Sequence, residues 1–298
     1  MSLAMTISFH GGSGKNSLNN LHTYPGDIKI LDTTGVTLDE LRGFTLGPGG
    51  NLYVVVGHKG SDSNILSFTP PASGSNQYTN GKPFVSPQSS LSHPFALVFA
   101  GSSLFVSNQD TNKITQYDAK TGSYLGDFAD GFQELRGITA SSKHLYAADE
   151  KGGKKGTGEL TWYDLPSGNS QKKASCAGQV DVIDPVHIVH DGNHCLYIGS
   201  ESQNAVCWLD THSGKDPQQL TLPKGGPTID DTGGLAIVSD GGSTYLFVAS
   251  RKGMQVNQYT LDTSKTPPTL SNGTVSVSGL KDNPEFVSAL GMSGAVSG

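Results

Sequence analysis

One recurring motif limits the folds open to this chain more than any other feature of the sequence. A Leu followed by Tyr or Phe, and then by small or β-branched residues, starts at Leu52, Leu104, Leu145, Leu196 and Leu246. The copies are separated by 52, 41, 51 and 50 residues. Each copy is rich in strand-forming residues and too short for a helix. Self-similarity with a period of about 20 to 50 residues is typical of repeat folds, so we expect a repeated β unit.

Each repeat predicts four short strands. Eight to twelve residues before each Leu-aromatic strand lies another β-rich segment, and a tight turn joins the two, as at 47–51 and 239–242. The Gly, Pro, Asn and Asp residues of these turns are typical of β-hairpins. A third strand with a late aromatic or Leu, such as Tyr117, follows, and a fourth, outer strand such as 124–128 comes after it. Four antiparallel strands per repeat are the signature of a β-propeller blade.

The two chain ends predict a sixth repeat. The chain ends with one more first strand, and its N-terminus supplies segments that fit the next three strands of a blade. These segments are 284–290, 6–10, 18–24 and 27–31. We therefore predict an all-β fold, a single six-bladed β-propeller domain over residues 1–298, with its sixth blade closed by N- and C-terminal strands. Closure of this kind leaves no unpaired edge. We expect residues 1–5 to lie outside the fold.

The repeats are similar to those of a known superfamily. The Leu-Tyr/Phe strands and the Tyr-Asp-x-x-x-Gly turns, of which Tyr117 to Gly122 is one, resemble the NHL-repeat and SMP-30/gluconolactonase-like six-bladed propellers. The resemblance is one of fold and covers the whole chain. It implies two kinds of function, because relatives of this shape include metal-free condensing and lyase enzymes, and NHL-type propellers present loops to proteins or other ligands.

The resemblance also implies a calcium site that this sequence does not reproduce. Lactonases of the superfamily hold calcium with Glu, Asn and Asp at the blade openings. Here the blade openings carry Arg, Phe, His and Gly residues, and among them only Glu285 is acidic. Asn108 and Asp149 lie at the ends of second strands and not at the blade openings. Calcium needs six or more oxygen ligands. A divergent metal-dependent lactonase or hydrolase is therefore an alternative, not the leading hypothesis.

The arginines mark a candidate binding site. The chain has three, Arg42, Arg136 and Arg251, and all of them fall where loops enter first strands or leave second strands. In a propeller these loops surround one mouth of the central channel. A guanidinium grips carboxylate or phosphate oxygens in a fixed fork, so the arginines predict an anion or oxyanion site. The alternative is that each arginine is a structural residue at the start of a blade. It would then pair with a nearby acid, such as Glu40, Glu134 or Glu285.

His187 is a candidate catalytic residue. It occupies a first-strand position where most blades have Gly or Ala, so its imidazole must enter the channel or plug it. As a channel group with Glu150 and Glu201 nearby, it would be a general acid or base, since its pKa lies near neutrality. Two carboxylates in adjacent blades would raise the pKa of one of them. The alternatives are a structural plug and two solvated loop carboxylates.

The remaining mouth positions complete the predicted site. The substrate-binding candidates are Arg42, Arg136, Arg251, His58, Asn108, Asp149, His10, Phe95 and Glu285. A zinc or iron site is a weaker alternative. Its possible ligands are scattered along the sequence and show no metal-binding spacing. Those ligands are His10, His58, His187, Asp149 and Glu201. We expect no cofactor.

Charge and composition restrict the partners and the compartment. The net charge of −6 and the lack of a basic cluster argue against a nucleic-acid partner. No apolar run approaches the ~18 residues of a membrane span. The N-terminus has neither the basic nor the apolar region of a signal peptide, and Cys176, Cys195 and Cys207 lack metal-ligand spacing. We expect a cytoplasmic monomer with a small-molecule substrate and no membrane partner.

The leading functional hypothesis is a metal-free enzyme of the isomerase, lyase or cyclase type. It would act on an anionic or carbonyl-bearing organic substrate at the mouth, where the arginines anchor the substrate or stabilise an oxyanion and His187 with Glu150 or Glu201 moves a proton. The alternative is an NHL-like propeller that binds a ligand or a protein without catalysis. That alternative predicts mouth residues that neutralise one another.

Overall fold

The fold is a closed ring of antiparallel sheets. The computed structural model describes residues 3–9, 20–57, 63–153, 157–175, 184–213, 215–290 and 296–297. The described strands form six sheets of four strands each, and one of these sheets gains a fifth strand. Among the described residues, no helix is long and apolar enough to cross a membrane.

The strands are numbered in chain order. The N-terminal strands are β1 (Met5–Phe9), β2 (His22–Tyr24) and β3 (Ile28–Lys29). Blade 1 contains β4 (Leu41–Leu46), β5 (Leu52–Val56), β6 (Asn64–Thr69) and β7 (Thr79–Val85). Blade 2 contains β8 (Pro94–Ala100), β9 (Ser103–Asn108), β10 (Lys113–Asp118) and β11 (Tyr124–Ala129). Blade 3 contains β12 (Leu135–Ala140), β13 (His144–Asp149), β14 (Glu159–Asp164) and β15 (Ser170–Ser175).

The C-terminal half follows the same plan. Blade 4 contains β16 (Pro185–His190), β17 (Cys195–Ser200), β18 (Ala205–Asp210) and β19 (Gln218–Gln219). Blade 5 contains β20 (Thr232–Asp240), β21 (Ser243–Ser250), β22 (Gln255–Asp262) and β23 (Thr269–Val277). The last strands are β24 (Pro284–Ser288) and β25 (Val296–Ser297), and β25 pairs with β20. Blade 6 has the strand order β24-β1-β2-β3.

The predicted six-bladed propeller and its closure by both termini are confirmed. The first strands β4, β8, β12, β16, β20 and β24 contact one another in turn, and β24 contacts β4. In blade 6, β1 pairs antiparallel with β24, with Ile7 opposite Val287. The expectation for residues 1–5 was wrong for Leu3 and Met5. Both side chains are buried in an apolar cluster with Phe247, and Met5 is the first residue of β1.

The Leu-aromatic motif forms the second strand of blades 1 to 5, where both of its faces are covered. Successive side chains of a strand point to opposite faces of the sheet. Leu104 and Phe105 are 0% and 1% exposed, because each blade packs between two neighbours. The motif therefore reads as a continuous apolar run and not as an alternation, and each buried Leu contributes about 2 kcal/mol of hydrophobic free energy.

Glycine lets the first strands approach closely at the axis. A Cβ atom on Gly137 would lie 2.6 Å from the carbonyl oxygen of Val186 in the next blade. A Cβ atom on Gly234 would lie 2.7 Å from the Cα atom of Phe286. Contacts this short with backbone atoms leave no room for a side chain. The small residues seen in the sequence at this position are thus a packing requirement.

Candidate functional site

The candidate site is the mouth of the propeller, the end at which first strands start and second strands end. After the second strand in each of blades 1 to 5, a backbone amide donates a hydrogen bond to the carbonyl oxygen of the residue that precedes the first strand. These bonds run from Gly57 to Glu40, Gln109 to His93, Glu150 to Glu134, Glu201 to Asp184, and Arg251 to Asp231, at 2.8–3.1 Å. The repeated bond brings two separate columns of the sequence together in one ring.

A β-bulge at the start of each first strand completes this ring. The strand register shifts at the same place in all six blades, for example between Leu41 and Phe44. Bulges change the direction of side chains and are common next to functional sites. The titratable residues gathered here are called the mouth ring. They are Glu40, Arg42, His93, Glu134, Arg136, Glu150, Asp184, Glu201, Asp231, Arg251 and Glu285.

The backbone of the mouth ring is strained. Four residues that precede first strands have left-handed conformations, with φ of 50° at Glu40, 49° at His93, 54° at Asp184 and 61° at Asp231. A non-glycine residue in this region costs roughly 1 kcal/mol or more. Such strain persists where the surrounding structure fixes it, and it clusters at ligand-binding and catalytic sites.

Arg136 is held between two carboxylates of its own blade. Its Nε atom donates to Oε2 of Glu150 at 2.6 Å, and its Nη2 atom donates to Oε1 of Glu134. The second carboxylate oxygen of Glu150 lies 2.9 Å from Nζ of Lys151, which also pairs with Asp184. The guanidinium is therefore neutralised by the protein itself.

Arg251 is surrounded by three carboxylates from three blades. Its Nη1 atom donates to Oε1 of Glu201 at 2.7 Å and lies 3.4 Å from Oδ1 of Asp231. Its Nε atom lies 3.4 Å from Oε2 of Glu285. Lys252 reaches the other oxygen of Asp231 at 3.2 Å. Buried arginines of this kind are stable only with compensating charges, and here the mouth ring provides them.

Arg42 is the most buried of the three arginines, with 7% of its surface exposed. Burial lowers the pKa of its guanidinium, while the charges of Glu285 and Glu40 raise it. Its Nη2 atom is 3.4 Å from Nε2 of His93, and the other ring nitrogen of His93 is 3.2 Å from Oδ1 of Asp110. The His93 ring therefore links Arg42 of blade 1 to Asp110 of blade 2.

His187 is sealed inside the protein. Its ring lies 5.2 Å from the ring of Phe95 and 4.7 Å from the ring of Phe286, and 1% of its surface is exposed. Neither ring nitrogen makes a hydrogen bond within the described residues, and Nε2 lies 3.7 Å from Oε1 of Glu285. Burial lowers the pKa of His187, and the nearby carboxylate of Glu285 opposes part of this shift. This arrangement matches the structural plug that was the alternative reading of His187.

Glu285 is the buried anion of the site. Burial alone would raise the pKa of Glu285, but its contact with His187 and the positive charge of Arg251 outweigh burial. The pKa of this carboxyl is therefore held well below its usual range, and Glu285 is ionised. It is 2% exposed, so it balances charge inside the protein and is not open to solvent.

Glu201 is a half-buried acid of the mouth ring with a raised pKa. Burial raises its pKa to about 7, the Arg251 charge opposes this rise, and the charges of Asp231, Glu285 and Glu150 add to it. We predicted that like charge would raise the pKa of one of the two carboxylates Glu150 and Glu201. Burial is the larger cause, and Glu150 makes a smaller contribution.

Two predicted substrate-binding residues, Asn108 and Asp149, make hydrogen bonds within their own blades. Asn108 accepts a hydrogen bond from the amide of Ser92 and donates to Oγ1 of Thr115, both at 2.9 Å. Asp149 accepts from the amides of Gln133 and Glu134 at 2.8 and 2.7 Å. Both side chains tie a second strand to the loop before the first strand, and we leave them out of the proposed site. His10 and His58, which were also predicted to bind substrate, lie outside the described residues.

The residues present do not fit the calcium site that the resemblance implies. Glu285 faces His187 and Arg251, and Asn108 and Asp149 bind backbone groups or a hydroxyl. Within the described parts of the chain, no group of three or more His, Cys, Asp or Glu side chains is placed to hold a metal ion.

Three members of the mouth ring were missed in the sequence. His93, Asp184 and Asp231 each precede a first strand and pair with Arg42, Lys151 or Arg251. The positions two residues before the column of Arg42, Arg136 and Glu285 form a further column of polar residues. That column reads Glu40, His93, Glu134, Asp184, Asp231 and Asn283.

Comparisons with known proteins show the fold of the chain and no closer relationship. No family model matches the sequence, and a search of curated proteins found no match. A structure of nidogen from a nidogen/laminin complex is similar with a TM-score of 0.63 at 12% identity, over 96% of this chain and 97% of that one. The computationally designed protein Ika8 gives a TM-score of 0.55 at 10% identity, over 98% and 82% of the two chains.

One similar structure is an enzyme. Virginiamycin B lyase from Staphylococcus aureus has a TM-score of 0.55 and 14% identity, over 78% of this chain and 69% of that one. At these identities the likeness shows the fold alone. It confirms the fold-level resemblance to six-bladed propellers and leaves the function to be argued from the mouth ring.

Proposed function

We propose that this protein is a non-catalytic binding propeller that recognises a partner through the charged rim of its mouth. The observation that carries this proposal is the mutual neutralisation of the mouth ring. Arg136 binds Glu134 and Glu150, and Arg251 lies among Glu201, Asp231 and Glu285. An anionic substrate would have to replace these carboxylates, whereas a partner surface can bind the exposed outer charges without disturbing them.

The burial of His187 also favours binding over catalysis. A general acid or base must come within hydrogen-bond distance of the reacting atom. His187 is almost completely buried between Phe95 and Phe286. Substrate could reach this ring only after both aromatic side chains had moved, so the residue we predicted as the catalyst is better explained as packing at the axis.

The rim of the mouth offers charges that remain in contact with solvent. The side chains of Lys252 and Lys151 are 67% and 44% exposed, and those of Glu134 and Glu201 are 35% and 34% exposed. Charges of both signs in fixed positions give specificity and faster association with a complementary surface more than they give raw affinity. The proposed partner is a protein with complementary charges.

The fold does not decide between binding and catalysis. The similar structures include nidogen in a complex with laminin and a lyase, so one propeller shape serves both classes of function. The paired charges of the mouth ring in this chain favour binding.

A pair of matched lysine variants tests the proposal. Lys252→Glu reverses a rim charge at the mouth, and Lys265→Glu reverses a charge at the opposite end. The two lysines are similarly exposed, 67% and 61%, and each pairs with one aspartate. Tagged wild type, Lys252→Glu and Lys265→Glu are incubated with native cell extract, cross-linked and analysed by mass spectrometry. We expect a partner whose cross-links map to the mouth, retained by Lys265→Glu and reduced at least five-fold by Lys252→Glu. Equal recovery by all three forms, or recovery no higher than on empty beads, would contradict the proposal.

A second candidate function is a metal-free enzyme of the isomerase, lyase or cyclase type acting on an anionic or carbonyl-bearing substrate. The observation in its favour is Glu201, whose pKa is raised to about 7 and whose side chain is 34% exposed beside Arg251. A carboxyl group with a pKa near the working pH suits general acid-base catalysis. In this reading Glu201 moves the proton and Arg251 binds the substrate oxygen.

Glu201→Gln and Glu134→Gln separate the two functions. Both glutamates pair with an arginine of the mouth ring and are equally exposed. Purified protein is incubated with a small-molecule extract, and substrate consumption is followed by mass spectrometry. The enzyme hypothesis expects turnover that Glu201→Gln abolishes and Glu134→Gln retains. The binding proposal expects no protein-dependent change in any of the three samples.

A cytoplasmic location and the absence of nucleic-acid and membrane partners remain proposals from the sequence.

A further inference from the structure

A cleft of about 640 Å³ lies at the end of the propeller opposite to the mouth. Its walls come from the hairpin turns that join first and second strands in blades 2, 3 and 4, and from the turn after β14. The lining includes Phe99, Phe105, Ser103, Ala140, Leu165 and His190. This volume falls within the range of about 300–1,000 Å³ that is typical of small-molecule sites.

The aromatic walls of the cleft are fixed by their neighbours. The ring of Phe99 points to the blade 1 side of its sheet, where it packs at 4.7 Å against the ring of Tyr53, so Phe105 is the aromatic ring on the opposite side. The ring of Phe105 packs at 4.7 Å against Phe128, and the ring of Phe128 packs against that of Tyr163. Rigid apolar walls of this kind bind a flat ligand with little loss of side-chain entropy.

The lining is electrically neutral. Among the described residues that line the cleft, none is Asp, Glu, Lys or Arg. Burial lowers the pKa of His190, so this ring adds no charge near neutral pH. A charged ligand would lose its hydration without gaining a counter-charge, which excludes ions as the natural occupants.

Two buried polar side chains offer hydrogen-bond donors to the cleft. Nδ1 of His190 accepts a hydrogen bond from the amide of Gly192 at 3.0 Å, so the proton of the neutral ring is on Nε2. Oγ of Ser103 accepts a hydrogen bond from Nε2 of Gln116 at 2.7 Å, which leaves its own hydrogen to be donated. His190 and Ser103 are 1% and 7% exposed, and within the described residues no acceptor binds either of these hydrogens.

We propose that this cleft is a second binding site, which takes a neutral small molecule with a flat apolar body and a hydrogen-bond acceptor such as a carbonyl or ether oxygen. The apolar body lies against Phe105, Ala140 and Leu165, and the acceptor receives hydrogen bonds from His190 and Ser103. The site is independent of the mouth ring, because it is formed by the opposite ends of the first strands.

Prodan, a neutral naphthalene with a carbonyl group, is the probe for this site. Its emission shifts to the blue and increases when it enters an apolar site, so a fluorescence titration of the purified protein gives the affinity and stoichiometry. We expect saturable binding of one prodan per chain. Ser142→Trp places an indole on the rim of the cleft and is expected to weaken binding at least ten-fold. Ser239→Trp is the matched control, because both serines are exposed and lie seven residues after the start of their first strands.

The role of the donors is tested with a second probe, 2-dimethylaminonaphthalene, which lacks the carbonyl group. His190→Phe keeps a flat ring beside Tyr146, on which His190 stacks, but it removes the donor. We expect this variant to bind prodan about five-fold more weakly, the effect of one hydrogen bond, and to bind the second probe as wild type does. Ser103→Ala provides the same comparison if His190→Phe does not fold. The proposal is overturned by non-saturable prodan binding, by equal effects of the two tryptophan variants, or by equal losses for both probes.

Discussion

Replacing Glu285 by Gln should destabilise the protein by about 2 to 3 kcal/mol, because this carboxylate compensates buried positive charge. Its Oε2 atom lies 3.4 Å from Nε of Arg251, and Glu285 also raises the pKa of the buried Arg42. At an effective dielectric constant of about 20, one such pair is worth about 5 kcal/mol of Coulomb energy. Removing a buried carboxylate also removes its desolvation cost, which offsets part of that loss.

The carboxylates that remain around Arg251 limit the expected loss of stability in Glu285→Gln. Glu201 and Asp231 still neutralise Arg251 in the variant, and Arg42 keeps the charge of Glu40 and its contact with His93. Removing one member of a buried ion pair costs about 3 to 5 kcal/mol when nothing replaces it. We therefore expect a loss somewhat below that range.

Urea denaturation of wild type and Glu285→Gln between pH 3 and pH 8 measures this effect. The pKa of Glu285 is lowered in the folded protein, so its contribution to stability is present above the unfolded-state pKa of about 4.3. The difference between the two proteins should be constant from about pH 5 upward and should narrow as the pH falls below 4. A variant as stable as wild type at pH 7, or a difference independent of pH, would refute the assignment of Glu285 as the buried counter-ion.

Three further predictions follow from the fold and the mouth. Gly234→Ala brings a Cβ within 2.9 Å of three backbone atoms in β24 and should destabilise the protein by at least 2 kcal/mol in urea denaturation, whereas Gly226→Ala, with its shortest contact at 3.2 Å, should change stability by less than about 1 kcal/mol. Asp149→Asn replaces one of the two oxygens that accept backbone amides and should lower the free energy of unfolding by about 1 to 3 kcal/mol, measured in the same assay. The pKa of Glu201 is raised to about 7, so the folded state binds its proton more tightly, and wild type should lose stability relative to Glu201→Gln as the pH rises from about 4.5 to 7.5. A relative stability that stayed flat over this interval would show that the carboxyl titrates normally.

The ring architecture was predictable because each of blades 1 to 5 is a continuous segment with a recognisable repeat. The Leu-aromatic strands indicate the same element wherever they occur, since each of them is buried on both faces. The pairing of β1 with β24 followed from counting strands at the two chain ends. Residues 3–5 were misjudged because the burial of Leu3 and Met5 depends on blade 5, whose residue Phe247 is far away in the sequence.

The positions of the mouth residues were predictable, but their partners were not. Repeat alignment placed Arg42, Arg136 and Arg251 at one end of the ring. It did not show that Arg251 would share carboxylates with two other blades through Glu201 and Glu285, because such contacts depend on side-chain conformations across blade boundaries.

The burial of His187 was not predictable for the same reason, because it depends on contacts between side chains of different blades. The rings of Phe95 and Phe286 that enclose it come from blades 2 and 6, while His187 belongs to blade 4. Phe95 was assigned to substrate binding because it lies in the column of Arg42 and Arg136. Three side chains so distant in the sequence meet only at the propeller axis.

An anion titration tests most directly whether the arginines of the mouth are already occupied. Isothermal titration calorimetry of the purified protein with inorganic phosphate and with acetate, at low ionic strength and neutral pH, compares wild type with Arg136→Gln. The binding-propeller account predicts no saturable heat with either anion up to millimolar concentrations, and no difference between the two proteins. Saturable binding of one anion per chain that Arg136→Gln abolishes would contradict the account, because it would show a guanidinium free to bind substrate.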